Sequence, residues 1–307
     1  MNQENLPDDS IIRYVKNRKT GEIEKEITFC TSWLRWLYNN PFGEFCLKTV
    51  INKKLTSSIF GRLMDMSISK RKIKNIVKTL NINMEESEKQ IKDFRTFNDF
   101  FTRKLKSGAR PINKDPSSVC SPTDGKVLVF EKIKYIDKFF IKGEKFTLSK
   151  FLQDERLASK YENGSLMIIR STPSDYHRFH FPVSGIIGAL TKINGKYDSV
   201  SPYAIRKNIR IFCENKREHT IIKTEKFGDV IMIEIGATFV GSIIQIFCPN
   251  STVKKGQEKG YFKFGGSTVA LIFESGKVII DHDLLKNTTN MLETKVMMGE
   301  RIAKARS

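Results

Sequence analysis

The chain has 307 residues, 39% of them hydrophobic, which is enough for one large domain or two modest ones with a proper core and excludes a disordered or fibrous protein. Its formal net charge of +19 favours an anionic partner, whether nucleic acid, an acidic lipid surface or a phosphorylated substrate, without choosing among them. The five cysteines (Cys30, Cys46, Cys120, Cys213, Cys248) form no C-x-x-C pair and are odd in number, which argues against a disulfide framework and fits a reducing, cytoplasm-facing location.

Residues 1–29 carry neither a basic n-region nor an apolar h-region, and no uncharged apolar run approaches the ~18 residues of a membrane span. A soluble or peripheral protein is expected. Residues 30–116 read as short helices. Trp33, Trp36 and Tyr38 cluster beside Pro41, and over 69–80 the apolar Ile73, Ile76, Val77 and Leu80 recur at helical spacing among Lys70, Arg71, Lys72, Lys74 and Lys78. That pattern predicts a basic amphipathic helix. Thr96-Phe97-Asn98-Asp99 has the form of a capping box opening a helix over 97–104. Gly108, Pro111 and Pro116 then mark a boundary near 107–117.

From 117 to 307 the character changes. Runs rich in Val, Ile and Phe at 127–133, 166–171, 219–223, 230–235, 242–247, 268–273 and 278–280 predict strands, with short helices over 147–153 and 283–289. The expected class is α+β: an N-terminal extension, a helical region over 30–116, and a β-rich catalytic domain of sandwich or barrel type.

Candidate chemistry concentrates in three places. Asp175-Tyr176-His177-Arg178-Phe179-His180 holds two of the four histidines; in an extended stretch their rings point to opposite faces and serve different partners. Each could be structural, a metal ligand or an acid or base. The metal option lacks a spaced third ligand, so no metal is expected. Ser121-Pro122-Thr123-Asp124-Gly125 leads into a strand and is, by itself, a turn signal. Gly265-Gly266-Ser267-Thr268 interrupts an apolar run at a cost of roughly 0.5–1 kcal/mol per strand glycine. It is not the Gly-x-Ser-x-Gly elbow, because Val269 stands where the last glycine belongs, which argues against a Ser-His-Asp hydrolase built from Asp124, His180 and Ser267. A serine following glycine suits another reaction. Its hydroxyl can attack the carbonyl before it, since glycine has no side chain to block the tetrahedral intermediate, provided a base, an orienter and oxyanion donors are at hand.

These segments, in this order, resemble the phosphatidylserine decarboxylases. Phe97-Asn98-Asp99-Phe100-Phe101-Thr102-Arg103 with Ala109-Arg110-Pro111, the Asp124 turn (with Thr123 where alanine is common), the two-histidine motif, Gly236-Ala237-Thr238 with Val240-Gly241-Ser242-Ile243, the Gly-Gly-Ser-Thr site, and Glu293-Thr294 with Met298-Gly299-Glu300 are similar to that family's series over about 94–307.

The resemblance implies a proenzyme cut between Gly266 and Ser267 into a β chain, 1–266, and an α chain, 267–307, that stay associated. Asp124 would orient His180, and His180 would take the Ser267 proton. Ser267 would become a pyruvoyl cofactor that binds the substrate amine as a Schiff base and accepts the electron pair as carbon dioxide leaves. His177 would donate the proton in turnover, and Gly241, Ser242 and Ile243 would line the pocket. The implied partners are phosphatidylserine and an anionic membrane surface on the cytoplasmic face of the cell membrane, with Trp33, Trp36, Tyr38 and the 69–80 helix as contacts. A homo-oligomer is left open. Nucleic acid is not expected, since no recognised motif accompanies the charge.

Overall fold

Strands buried on both sides build the centre of the molecule, which explains why they read as continuous apolar runs rather than as alternation. The computed structural model describes residues 14–26, 54–136, 146–200, 204–205, 209–237, 242–265 and 267–306. Trp33, Trp36 and Tyr38 lie outside the described residues.

In chain order the strands are β1 (Tyr14–Asn17), β2 (Ile23–Lys25), β3 (Ser118–Cys120), β4 (Gly125–Phe130), β5 (Ser165–Ser171), β6 (Arg178–His180), β7 (Gly185–Ile187), β8 (Thr191–Ile193), β9 (Arg217–Lys223), β10 (Asp229–Gly236), β11 (Ile243–Gln245), β12 (Thr252–Val253), β13 (Glu258–Phe262), β14 (Ser267–Phe273), β15 (Val278–Ile280), β16 (Glu293–Val296) and β17 (Arg301–Ala305). The helices are α1 (Lys54–Asp65), α2 (Ile73–Thr79), α3 (Phe97–Phe101), α4 (Leu148–Leu152), α5 (Glu155–Tyr161), α6 (Ile211–Glu214) and α7 (His282–Thr289), with a 3₁₀ turn over Ser67–Lys72.

The main sheet runs β12-β7-β9-β10-β14-β5-β4-β16-β1-β2, with β8 also on β9. Two smaller sheets follow the orders β11-β13-β6 and β15-β17-β3. The main sheet has two free edges, so the expected β-rich domain is realised with open sheets, and no barrel closes among the described residues.

Alternation along each strand divides the core. Val127, Met167, Val269, Leu271 and Met232 point to the face covered by Phe179 and Phe262 of the second sheet. Leu128, Ile168, Ala270 and Ile233 point to the other face, beneath Phe151 of α4 and Tyr161 of α5. Between the first two sheets lies a buried ion pair. Lys259 Nζ on β13 donates to both oxygens of Glu234 on β10 at 2.8 Å and to Gln245 Oε1 at 3.0 Å. With both partners fully buried, removal of either leaves an uncompensated charge, the costly case for such pairs.

A third cluster joins α1, α2 and α3 through Met64, Ile73, Ile76, Leu80, Phe94, Phe97, Phe100 and Phe101. The apolar stripe of the predicted 69–80 helix therefore faces protein. Its lysines stay exposed, and the first part of the segment is the 3₁₀ turn.

Candidate active site

The polypeptide leaves the second sheet at Phe262 and joins the main sheet at Ser267, so the chain passes from one layer to the other between these two residues. Gly265 has φ of 140°, a backbone region that L side chains avoid, which is a local reason for glycine at that position. Gly266 lies outside the described residues. Ser267 opens β14, opposite Gly236 of β10 and Ser171 of β5, and is fully buried.

The imidazole nearest Ser267 is that of His177, whose Nδ1 lies 3.3 Å from Ser267 Oγ. Phe101 from α3 stacks on this ring at 3.8 Å between centroids and an interplanar angle of 16°, fixing its plane. His177 is fully buried, and no partner meets hydrogen-bond geometry with its Nε2 among the described residues. Burial pushes its pKa down to about 3; Arg103 and Lys126 push the same way, against Asp175. The ring is therefore neutral at ordinary pH and able to accept a proton from the hydroxyl. Asp175 itself accepts from Lys126 Nζ at 2.7 Å and from the Thr172 amide at 2.6 Å, and these outweigh burial to hold its carboxyl at about 2.

The Asp124–His180–Ser267 relay that the resemblance implies is not assembled in this arrangement. His180 Nδ1 lies 3.0 Å from the Gly256 carbonyl and its Nε2 3.2 Å from the Tyr176 hydroxyl, which fits a ring with its proton on Nδ1. Burial lowers its pKa as well. Asp124 is turned toward Arg110, which donates from Nε at 2.9 and 3.0 Å and from a terminal nitrogen at 2.7 Å. It also accepts the Met298 amide at 2.8 Å, while Arg110 extends to Glu86 at 2.9 Å. The physical reason is the guanidinium: a bidentate charged pair outcompetes a neutral imidazole for the carboxylate. Even so, the Asp124 carbonyl accepts the Ser171 hydroxyl at 2.8 Å, and Ser171 is the strand neighbour of Ser267. The two histidines do serve different partners, as an extended stretch predicts.

Of the expected pocket residues, Ser242 offers its carbonyl to the Lys263 amide at 3.2 Å and Ile243 pairs with Phe262, so both run beside the segment before the glycines. Gly241 lies outside the described residues. Nothing in the sequence assigns a role to Phe101 or Arg110; only the fold brings them to His177 and Asp124.

Residues 97–304 match the family described as phosphatidylserine decarboxylase. The chain is 53% identical over 290 residues to a phosphatidylserine decarboxylase proenzyme of Fusobacterium nucleatum, covering 94% of this chain and 96% of that one. It is 48% identical over 288 residues to the proenzyme of the same name from Clostridium tetani, covering 94% and 97%. It is 44% identical over 288 residues to that of Clostridium beijerinckii, again covering 94% and 97%.

Proposed function

Since the chain belongs to the phosphatidylserine decarboxylase family and is a decarboxylase proenzyme, we propose that it cuts itself between Gly266 and Ser267 and converts the serine into a pyruvoyl group. The observation that carries this is a buried serine hydroxyl within reach of a neutral imidazole, at the start of the strand that follows the passage between sheets.

The bond changes balance as follows. Ser267 Oγ attacks the Gly266 carbonyl carbon, its proton passes by way of the imidazole to the peptide nitrogen, and that nitrogen leaves as the amine, giving an ester. Loss of the Ser267 α proton expels Gly266 as a carboxylate. The dehydroalanine left behind takes up one water and releases ammonia, leaving a keto acyl group on the chain 267–307.

The residues fit such a group. The keto carbon is the Cα of residue 267 and its oxygen comes from that water, so the group would stand where Ser267 stands now, beside the His177 ring that Phe101 keeps in place. When formed, the group supplies an electron sink for release of carbon dioxide from phosphatidylserine, yielding phosphatidylethanolamine. His177 then holds the proton that the product carbon receives, and Ser242 and Ile243 with Gly241 line the pocket.

A second route for the cleavage proton runs through His180 oriented by Asp124, and the position of Asp124 one strand from Ser267 favours it. It requires His180 to leave Tyr176 and Gly256, and Asp124 to leave Arg110. Intact-mass measurement of the purified protein tests the cut: two polypeptides, 1–266 and 267–307, are expected, the smaller without a free amino terminus. Active protein consisting only of the uncut chain sinks the proposal.

For the lipid surface, the exposed apolar residues Ile59 and Leu63 on α1, with Met66 and Ile68 after it, form the proposed contact. Exposed Arg62, Lys70, Arg71, Lys72, Lys74 and Lys78 add attraction of about 1 kcal/mol each near an anionic bilayer. No described helix is long and apolar enough to cross a membrane. Replacing Ile59, Leu63 and Ile68 together by Ser is expected to weaken sedimentation with phosphatidylglycerol vesicles by about tenfold or more, since each loses apolar burial worth about 1.5 kcal/mol or more. Unchanged sedimentation would place the contact elsewhere.

A further inference from the structure

Attack by a serine on the carbonyl just before it tolerates little freedom, because reacting atoms must be held about 3–3.5 Å apart and a 1 Å error costs about a hundredfold. Two consecutive glycines are the worst residues for holding anything still. What fixes the approach to them is a contact from the helical region. The Phe264 amide donates to Asn98 Oδ1 at 2.9 Å, beyond the end of β13 and outside any ladder. Asn98 is 3% exposed. Its Nδ2 donates to Asp65 Oδ1 at 2.9 Å and to the Gly61 carbonyl at 3.3 Å, both on α1. Every polar atom of the side-chain amide is thus engaged, and its orientation follows from its partners. Asp65 Oδ2 also accepts from Lys263 Nζ at 3.0 Å, and the Phe264 ring packs edge-on against Phe97 and Phe101 at 4.9 and 5.2 Å.

We propose that Asn98 is a positioning residue for chain cleavage. Anchored by Asp65 and Gly61, it fixes the backbone two residues before the scissile carbonyl, so that Gly265 enters its positive-φ turn from a defined point. Phe101, three residues along on the same helix, fixes the His177 ring. One short helix therefore aligns both the carbonyl's approach and the imidazole at the hydroxyl. The inference rests on the cleavage proposed above.

The test follows the first-order conversion of freshly made full-length chain to 1–266 and 267–307 by intact mass, with thermal melting as the control for folding. Asn98→Ala is expected to slow cleavage about tenfold or more while melting near the parent. Asp65→Ala, at a side chain 44% exposed, is expected to slow it about threefold and to add little to Asn98→Ala, as expected of coupled partners. Combining Asn98→Asp with Asp65→Asn keeps an acceptor for the Phe264 amide and a donor–acceptor pair between the two side chains, and is expected to restore most of the rate, whereas Asn98→Asp alone sets two carboxylates together and does not. The proposal is overturned if Asn98→Ala is cut at the parent rate, or if the combined exchange is as slow as Asn98→Ala. Should Asn98→Ala not fold, a parental rate for Asp65→Ala overturns it equally. A parent chain that is never cut refutes the cleavage itself, a distinguishable outcome.

Discussion

Ser267→Ala is expected to leave a single 307-residue chain and to reduce decarboxylation to background, a loss of at least about 10⁶-fold if the serine is the sole source of the electron sink. Alanine removes the nucleophile, and with it the leaving oxygen without which the Cα of residue 267 cannot become a ketone, while the fold has little reason to change. The hydroxyl's hydrogen-bond contact is with His177, and the backbone of residue 267 keeps its places opposite Gly236 and Ser171. Mass spectrometry of the purified variant, with melting and activity on phosphatidylserine vesicles, checks all three statements. A cut or active Ser267→Ala protein refutes the cofactor assignment.

His177→Ala carries the second-largest expected effect, a fall in turnover of about 10²–10⁴-fold, the usual worth of a positioned acid or base. The mass of the same variant separates the two cleavage routes. An uncut chain assigns the hydroxyl proton to His177, whereas a cut but inactive protein assigns it to His180. Burial keeps the ring neutral, so its nitrogen is free to take the hydroxyl proton in the precursor, but the same burial leaves it little proton to donate afterwards. The proposed cut would ease the conflict electrostatically, because a new carboxylate on Gly266, the residue before Ser267, would add a negative charge that favours the protonated imidazole. Imidazole titration by NMR should therefore give a higher value for His177 in the cut protein than in uncut Ser267→Ala.

The same ring has a linkage consequence. Below its unfolded value of 6.5 the unfolded chain binds a proton that the folded chain refuses, so stability falls as pH drops from about 6.5 toward about 3. Urea unfolding at pH 7 and 4.5 should show a smaller loss in His177→Gln than in the parent. The other buried histidines, His180 and His219, contribute in the same direction to both proteins.

Where side chains are apolar on both faces, sequence and structure agree to within a residue or two. The runs at 166–171, 230–235 and 268–273 became β5, β10 and β14, and the 283–289 segment became α7. The hairpin of β1 and β2 was invisible because only Val15 of its residues is buried and its partner, β16, lies far along the chain in parallel register. β17 was hidden by Arg301 and Lys304 on a strand whose buried residues are Ile302 and Ala303. The period of the 69–80 helix was legible, but not whether its apolar side met lipid or the phenylalanines of α3. The site residues stood out as types and motifs. Their pairing did not, since Asn98 with Phe264 and Phe101 with His177 span long stretches of sequence that only the fold closes.

The place of β14 in the main sheet determines what becomes of the protein once cut. Residues 267–307 supply β14 between β10 and β5, β16 between β4 and β1, and β17 between β15 and β3, and Arg18 ties the first hairpin to Asp281 and Asp283 at 2.7 Å. β13 on one side of the proposed cut and β14 on the other lie in different sheets. Products of the proposed cut would therefore be expected to stay together short of unfolding, and folded molecules would not be expected to trade halves. A copy defective before Gly266 and a copy defective after Ser267 would not complement one another by exchange, so in heredity the two chains behave as one.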